Sequence, residues 1–272
     1  MISFPRCKLN IGLHILEKRP DGYHNIETLF YPLSFTDGLE IITANGSTEF
    51  SQSGLPLPLD EKSNLVIKAY ELLKREYDLP PVKIHLHKKI PPGSGLGGGS
   101  SDAANTLLLL NQIFHLGLSN EELAIYAGKL GADCAFFVFN KPMIGKNKGE
   151  VFEDVNVDMK GYHIAIIKSN IHIDTKEAYG KVMPCKSRKS IKELVSQPIS
   201  KWKETIENDF EKVIFKEYPG IEKIKSTLYN KGAVYASMTG SGSAVYGIFD
   251  HNPKRLDEIF GKHLVWKERI EG

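Results

Sequence analysis

The sequence predicts an α+β protein built as two lobes. Three observations carry that expectation. Short strand and helix patterns alternate irregularly, without the strict βαβ series of a parallel α/β sheet. The second half runs helix, strand, tight turn, strand, helix, which is the order of a split αβ lobe. The chain has 272 residues, 41% hydrophobic and 25% charged, enough to bury a core without disulfides or a structural metal. The lobes are placed at 1–155 and 156–272.

The elements follow in order. Residues 8–16 read as a strand. After the turn Pro20-Asp21-Gly22, residues 26–35 read as a second. Residues 37–58 are strand and loop. Ser63 or Asn64 caps a helix carrying Leu65, Ala69, Leu72 and Leu73 on one face, and Pro80-Pro81 ends it. VKIHLHKKI, residues 82–90, alternates. Val82, Ile84, Leu86 and Ile90 face a core, and Lys83, His85 and His87 face away. A glycine-rich loop leads into a helix over 100–114. Ser119 and Glu122 have capping-box spacing for a helix to about 130, and 136–139 reads as a buried strand.

Past residue 155, YHIAII reads as a strand. Helices are expected over 175–182, 189–196 and 202–215. Pro219 opens a further helix that ends before Gly232. Strands over 233–238 and 244–249 flank Thr239-Gly240-Ser241-Gly242, and Asn252-Pro253 starts a last helix.

Charge and cysteine usage narrow the function classes. Lys plus Arg less Asp plus Glu is 35 − 33 = +2, which argues against a generic nucleic-acid or membrane-surface binder. Cys7, Cys134 and Cys185 form no CxxC pair and suggest a reducing, cytoplasmic compartment. The opening MISFPRCKLNIGLHIL lacks a signal-peptide apolar run. The most apolar run, residues 107–110, is too short to span a membrane.

The strongest local signal is IPPGSGLGGGSSDAANTLLLLNQ, with five glycines in residues 93–99. Glycine lets the backbone approach a ligand without a Cβ, so amides can converge on an anion at the helix N-terminus. Ser100 and Ser101 add hydroxyls, and Asp102 caps the helix or helps hold a cation. A nucleoside triphosphate is the natural guest. Gly93, Gly95 and Gly98 match G-x-G-x-x-G. The preceding strand alternates with Lys and His, however, and Pro91-Pro92 intervenes, unlike a dinucleotide fold. No lysine follows Gly99, so this is not a P-loop either.

That loop resembles the second signature of the GHMP small-molecule kinases, named after galactokinase, homoserine kinase, mevalonate kinase and phosphomevalonate kinase. CKLNIGLHI (7–15) resembles the first signature and MTGSGSAVYGIF (238–249) the third, in the right order over nearly the whole chain. The resemblance implies an N-terminal lobe like ribosomal protein S5 domain 2 and a C-terminal ferredoxin-like lobe, with the active site between them. It also implies ATP with Mg²⁺, metal ligands unassigned, and a monomer or weak homodimer with no nucleic-acid or membrane partner. RPDGYHNIETLF (19–30), LGADCAFFV (130–138) and NDFE (208–211) resemble one branch of the family. That branch implies a small-molecule substrate carrying a cytidine diphosphate group, phosphorylated on the 2-hydroxyl of its methylerythritol part.

By that resemblance Asp133 is the catalytic base and Lys8 lies beside it, keeping it ionised and steadying phosphoryl charge. Asn10, two residues along the same strand face, helps orient the substrate. Tyr23 stacks on cytosine, His24 hydrogen-bonds its edge, and Tyr179 completes the sandwich. Pro91, Pro92, Gly93, Ser94, Gly95, Leu96, Gly97, Gly98, Gly99, Ser100 and Ser101 hold phosphates, with Asn64 and Lys88 near adenosine. Thr239, Gly240, Ser241 and Gly242 form a second cradle.

Taken alone, each residue has a plainer reading. Asp133 is a turn aspartate, Lys8 an exposed lysine, and Tyr23 and His24 are loop residues. Tyr179 packs a helix, Asn64 caps one, Lys88 is a solvated strand lysine, and residues 239–242 are a hairpin turn. His85 and His87 share a strand face, where a polar surface outweighs a zinc site. Four positions depart from the family pattern. Pro92 replaces a flexible apolar residue, Ser94 a smaller one, Ala135 a proline, and Asn147 the first glycine of Gly-x-Gly-Glu. The rival functions are a homoserine- or mevalonate-type kinase and a catalytically silent nucleotide-binding regulator. An RNA-binding module is disfavoured by the near-zero charge.

Overall fold

A computed structural model describes residues 1–57 and 64–271 of the chain, so Ser63 lies outside the described residues. The first elements are β1 (Ile2–Ser3), β2 (Arg6–Lys18), β3 (His24–Thr36), β4 (Gly38–Thr43) and β5 (Glu49–Gly54). Then come α1 (Leu65–Tyr77), β6 (Val82–Lys88), α2 (Gly98–Ile113), α3 (Asn120–Leu130) and α4 (Cys134–Phe139). The middle of the chain holds β7 (Met143–Asn147), β8 (Val151–Asp154), β9 (His163–Lys168), α5 (Thr175–Lys181), α6 (Ile191–Val195) and α7 (Ile199–Thr205). It closes with α8 (Glu211–Glu217), α9 (Pro219–Asn230), β10 (Tyr235–Met238), β11 (Ala244–Phe249), α10 (Leu256–Phe260) and β12 (Leu264–Arg269).

These elements form two compact units. The first comprises residues 1–8, 32–92 and 97–141, and the second residues 9–31, 93–96 and 142–272. They are therefore not the consecutive stretches expected from sequence, because residues 9–31 and 93–96 join the second unit.

The first unit holds the sheet β1-β4-β6-β5 and helices α1 to α4. Strand β6 alternates as its sequence requires: Val82, Ile84 and Leu86 are buried, and Lys83 and His87 are exposed. His85 hydrogen-bonds Ser51 and Ser53 through its two ring nitrogens, and His87 reaches Ser53, across the parallel β5–β6 pair. Asn64 caps α1 by accepting from Val66 N at 2.9 Å. The buried face of α1 is Val66, Ala69, Tyr70 and Leu73, shifted slightly from the expected stripe. Ser119 and Glu122 form the predicted capping box of α3.

The second unit holds the antiparallel sheet β10-β11-β9-β12 and most of the sheet β2-β3-β7-β8. Its core gathers Leu13, Ile15 and Ile26 with Ala165, Ile167, Phe210, Leu228, Val245 and Phe249. Among the described residues no helix is long and apolar enough to cross a membrane.

Three element expectations need correction. Residues 134–139 form a short buried helix rather than a strand, because an apolar run buried on every side has no diagnostic period. The expected helix over 202–215 is two helices, α7 and α8, interrupted where Asn208 and Asp209 bond to other strands. The last helix starts at Leu256 rather than beside Pro253, and β12, which no expectation included, follows it after Gly261 at φ +50°.

Candidate active site

In the first unit the loop–helix junction is built around Gly97. It is the N-cap of α2 at φ +73°, and it offers no side chain to the helix amides. The first intrahelical bond runs from Ser101 N to Gly97 O, so the amides of Gly98, Gly99 and Ser100 precede the helix ladder. A Cβ at Gly97 would stand 2.8 Å from the Phe137 ring and 3.1 Å from Lys8 Cε, so glycine also admits the Lys8 stem. Lys8 is 2% exposed, which replaces the exposed-lysine reading. Its Nζ lies 3.2 Å from Asp133 Oδ2. Asp133 sits at the start of α4 without capping that helix, and its side chain remains 34% exposed. The pair therefore joins a buried cation to a carboxylate that solvent or a ligand can reach.

Lys88 is not a solvated strand lysine: it continues the inward series of Val82, Ile84 and Leu86 in β6. It is 2% exposed and donates to Asp37 Oδ2 and to Asp102 Oδ2 at 2.8 Å. Asp37 Oδ1 accepts from Lys89 N at 2.6 Å and Ile90 N at 2.9 Å, fixing the strand end that leads to Pro91 and Pro92. Burial works against the Lys88 ammonium, but Asp102 and Asp37 more than offset it, and its pKa is raised. Burial drives the Asp102 carboxyl up, Lys88 only partly restrains it, and it reaches about 7. Asp102 is thus an internal partner of Lys88, not an open cation ligand. Asn64, as the α1 cap, lies next to Leu65, whose side chain is 4.0 Å from where a Gly99 Cβ would be.

In the second unit the three glycine-bearing segments meet at Thr239. Thr239 Oγ1 accepts from Asn10 N at 3.0 Å and donates to Gly95 O at 3.2 Å. A Cβ on Gly95 would overlap the Thr239 carbonyl oxygen, so no larger residue fits there. Asn10 Nδ2 donates to Thr28, and Tyr246 OH donates to Asn10 O at 3.1 Å. Gly242 N closes the turn onto Thr239 O at 3.0 Å, and Ser241 is 8% exposed. Ser94 O accepts from Ala244 N, and its hydroxyl accepts from Leu96 N.

The aromatic residues also lie in this unit. His24 and Tyr179 stack with ring centroids 5.0 Å apart and 16° between planes, and Tyr179 meets Phe210 edge-on. Burial, then the charge of Lys18, lowers the His24 pKa. Tyr23 is 60% exposed and carries Lys148 Nζ 5.0 Å from its ring centroid. The structure therefore pairs His24 with Tyr179 and sets Tyr23 apart from that stack.

The GHMP kinase N-terminal domain family matches residues 64–141, and the GHMP kinase C-terminal family matches residues 190–262. A 4-diphosphocytidyl-2-C-methyl-D-erythritol kinase of Bacteroides fragilis is 50% identical over 257 residues, covering 93% of this chain and 94% of the relative. The chain belongs to the GHMP kinases. The same-named protein of Azobacteroides pseudotrichonymphae is 51% identical over 250 residues, covering 92% of this chain and 93% of its own. A solved 4-(cytidine 5'-diphospho)-2C-methyl-D-erythritol kinase superposes with a TM-score of 0.83 at 27% identity, covering all of both chains.

Within this GHMP kinase, sequence reasoning passed over two residues. Asp37 carried only a turn signal. Asn208, quoted as part of NDFE, donates to Met238 O at 2.7 Å and Gly240 O at 2.9 Å, so it fastens the third glycine turn. Its neighbour Asp209 accepts from Ile15 N, and Glu211 accepts from Met238 N. The adjacent polar pair Asn208-Asp209 inside an otherwise helical pattern is the signal that could have found this turn's anchor.

Three departures from the family pattern fit their places. Asn147 takes φ +57°, a left-handed conformation that asparagine tolerates better than most residues, and so stands in for glycine. Ala135 is in the first turn of α4, where a proline's missing N–H would cost nothing. Ser94 replaces a smaller residue with a hydroxyl that ties the loop to itself. Pro92 is exposed, and nothing around it explains its choice.

Proposed function

We infer that this GHMP kinase transfers the γ-phosphoryl group of ATP to the 2-hydroxyl of 4-diphosphocytidyl-2-C-methyl-D-erythritol, giving the 2-phosphate and ADP. The observation that carries this reading is identity of 50–51% over 92–93% of the chain to kinases bearing that substrate's name. It favours this acceptor over the homoserine or mevalonate type. The Lys8–Asp133 pair, with its reachable carboxylate, supports a working kinase over a silent nucleotide-binding regulator.

Asp133 takes the proton of the accepting hydroxyl as its oxygen bonds to the γ-phosphorus, and the bond to the ADP oxygen breaks. Lys8 holds Asp133 and offsets negative charge on the transferring group. The amides of Gly98, Gly99 and Ser100 receive phosphate oxygens at the start of α2. Asn10 and the turn Thr239-Gly240-Ser241-Gly242 position the acceptor. His24, held neutral, keeps one ring nitrogen as donor and one as acceptor, which suits a cytosine edge. Tyr23, exposed and outside the His24–Tyr179 stack, offers an aromatic face to the base, while Tyr179 backs the His24 ring.

Among the described residues no three His, Cys, Asp or Glu side chains cluster as a metal site. Mg²⁺ fits as an ion carried largely by nucleotide phosphates, with Ser100 and Asp133 as the oxygen donors this chain would add. When bound it neutralises phosphate charge.

An ADP-release assay with the cytidyl substrate, homoserine and mevalonate tests the reading. Turnover is expected on the cytidyl substrate, and Asp133→Asn should lower kcat about 10²–10⁴-fold while ADP binding is kept. Turnover on homoserine or mevalonate alone would reassign the acceptor, and near-normal kcat in Asp133→Asn would remove it as base.

A further inference from the structure

Strand β2 lies at one side of the sheet β2-β3-β7-β8, so the backbone groups on its outer edge need partners from elsewhere in the second unit. Leu13 takes backbone partners, donating to Glu207 O at 3.0 Å and accepting from Asp209 N at 2.9 Å. Ile15 donates to the Asp209 carboxylate at 2.7 Å and accepts from Cys185 N at 2.9 Å. Asn10 is held by two side-chain hydroxyls instead. Its N–H donates to Thr239 Oγ1 at 3.0 Å, and its carbonyl accepts from Tyr246 OH at 3.1 Å. Thr239 belongs to the glycine turn already described, whereas Tyr246 has no assigned part. We propose that the Tyr246 hydroxyl is a positioning group for phosphoryl transfer, acting through Asn10 on the accepting hydroxyl. The inference rests on the kinase reading above.

The geometry gives the reason. The N–H and the carbonyl of Asn10 belong to the two peptide groups on either side of its Cα. Each group is planar, so holding both fixes φ and ψ and the direction in which the side chain leaves the strand. Asn10 Nδ2, donating to Thr28 Oγ1 at 3.2 Å, then sets the side chain itself.

Tyr246 is a rigid support for this. It sits on β11 between β10 and β9, paired with Ser237 on one side and Ile166 on the other. Its ring is fully buried, 6.0 Å from the Tyr235 ring, which in turn meets Trp202 edge-on at 5.8 Å. A phenolic hydroxyl placed so deep costs free energy unless it is bonded, and phenylalanine would fill the same space without that cost. Burial also raises its pKa well above the ordinary value, so the hydroxyl keeps the proton it donates. Thr239 serves two partners, since it also donates to Gly95 O, while Tyr246 supplies the donor to the Asn10 carbonyl.

Steady-state kinetics of wild type, Tyr246→Phe, Asn10→Ala and the double variant test this, with calorimetric titration of CDP and ADP as a second readout. Tyr246→Phe keeps the packed ring and removes only the donor. Its kcat on the cytidyl substrate is expected to fall roughly tenfold to a hundredfold. CDP and ADP affinities should stay within about twofold of wild type, since neither ligand carries the accepting hydroxyl. In the Asn10→Ala background the same change should cost less than about threefold, because the residue it acts through is gone. A kcat within about twofold of wild type in Tyr246→Phe would overturn the proposal. Equal losses in both backgrounds would overturn it too, as would a parallel loss of CDP and ADP binding, the mark of a loosened sheet. Wild type that turns over homoserine or mevalonate but not the cytidyl substrate would instead sink the acceptor reading alone, and the same four proteins compared on that acceptor would judge Tyr246. Wild type without turnover on any of the three would overturn both.

Discussion

His24 stacks on Tyr179, is 9% exposed, and has its pKa lowered by burial and then by Lys18. The sign matters for binding. A histidine held below its ordinary value of about 6.5 is still mostly neutral at that pH, and its protonation midpoint lies in more acid solution. If the neutral ring reads the cytosine edge, KM for the cytidyl substrate should rise on acidification with a midpoint below 6.5. A KM that climbs with a midpoint at or above 6.5 would contradict this, and an NMR titration of the His24 ring gives an independent check. At this scale the sequence was legible only through motif resemblance. Nothing local marked Lys8 or Asp133 as partners, because 125 positions of chain separate a strand start from a helix start that folding brings to 3.2 Å. The solvated reading of Lys88 went against its own register, since alternation sets it inward with Val82, Ile84 and Leu86, and an inward lysine becomes intelligible only with Asp37 and Asp102 in view.

The turn between β10 and β11 shows how one residue governs an element. Asn208 donates to Met238 O and Gly240 O, and its Oδ1 accepts from Phe210 N at 3.0 Å, all in buried surroundings. Removing it leaves two carbonyls and one amide without their partner. Asn208→Ala should therefore lose roughly 2–4 kcal/mol, read as a fall of roughly 5–15 °C in the unfolding midpoint. Asn208→Asp should do no better, since it keeps the acceptor for Phe210 N but turns an oxygen toward two carbonyls. A variant of either kind that melts within 2 °C or so of wild type would show that the turn holds itself. Elements with strong local chemistry were legible in advance: the alternating β6, the capped α3, the strands around the glycine turn and α9 behind Pro219. Those that failed were decided by tertiary contact. The run Cys134–Phe139 is apolar all round, and the break between α7 and α8 exists because Asn208, Asp209 and Glu211 bond strands distant in sequence.

For the molecule as a whole, a net charge of +2 conceals charges placed inside, and these set how stability depends on pH. Asp37, Lys88 and Asp102 tie the β3–β4 turn, the end of β6 and the first turns of α2 together in the first unit, each side chain at most 3% exposed. Two carboxylates share one ammonium, so a full set of charges is unbalanced in a place where water does not screen it. Burial raises the Asp102 carboxyl, Lys88 lowers it, and the nearby charge of Asp37 raises it again, leaving it at about 7. Asp102 Oδ1 has no hydrogen-bond partner among the described residues. In the unfolded chain the same group titrates near 3.9. Between those values the folded state holds a proton that the unfolded state has released. The stabilisation from that proton is complete below about pH 4 and is lost as pH rises through about 7. Asp102→Asn removes the titration and keeps the Lys88–Asp37 pair. The midpoint of wild type minus that of Asp102→Asn should therefore decline from pH 4 to 8 by roughly 5–10 °C and then level off. Thermal unfolding of both proteins across that range measures it, and a difference that is flat, or that grows with pH, would mean both carboxylates are ionised throughout.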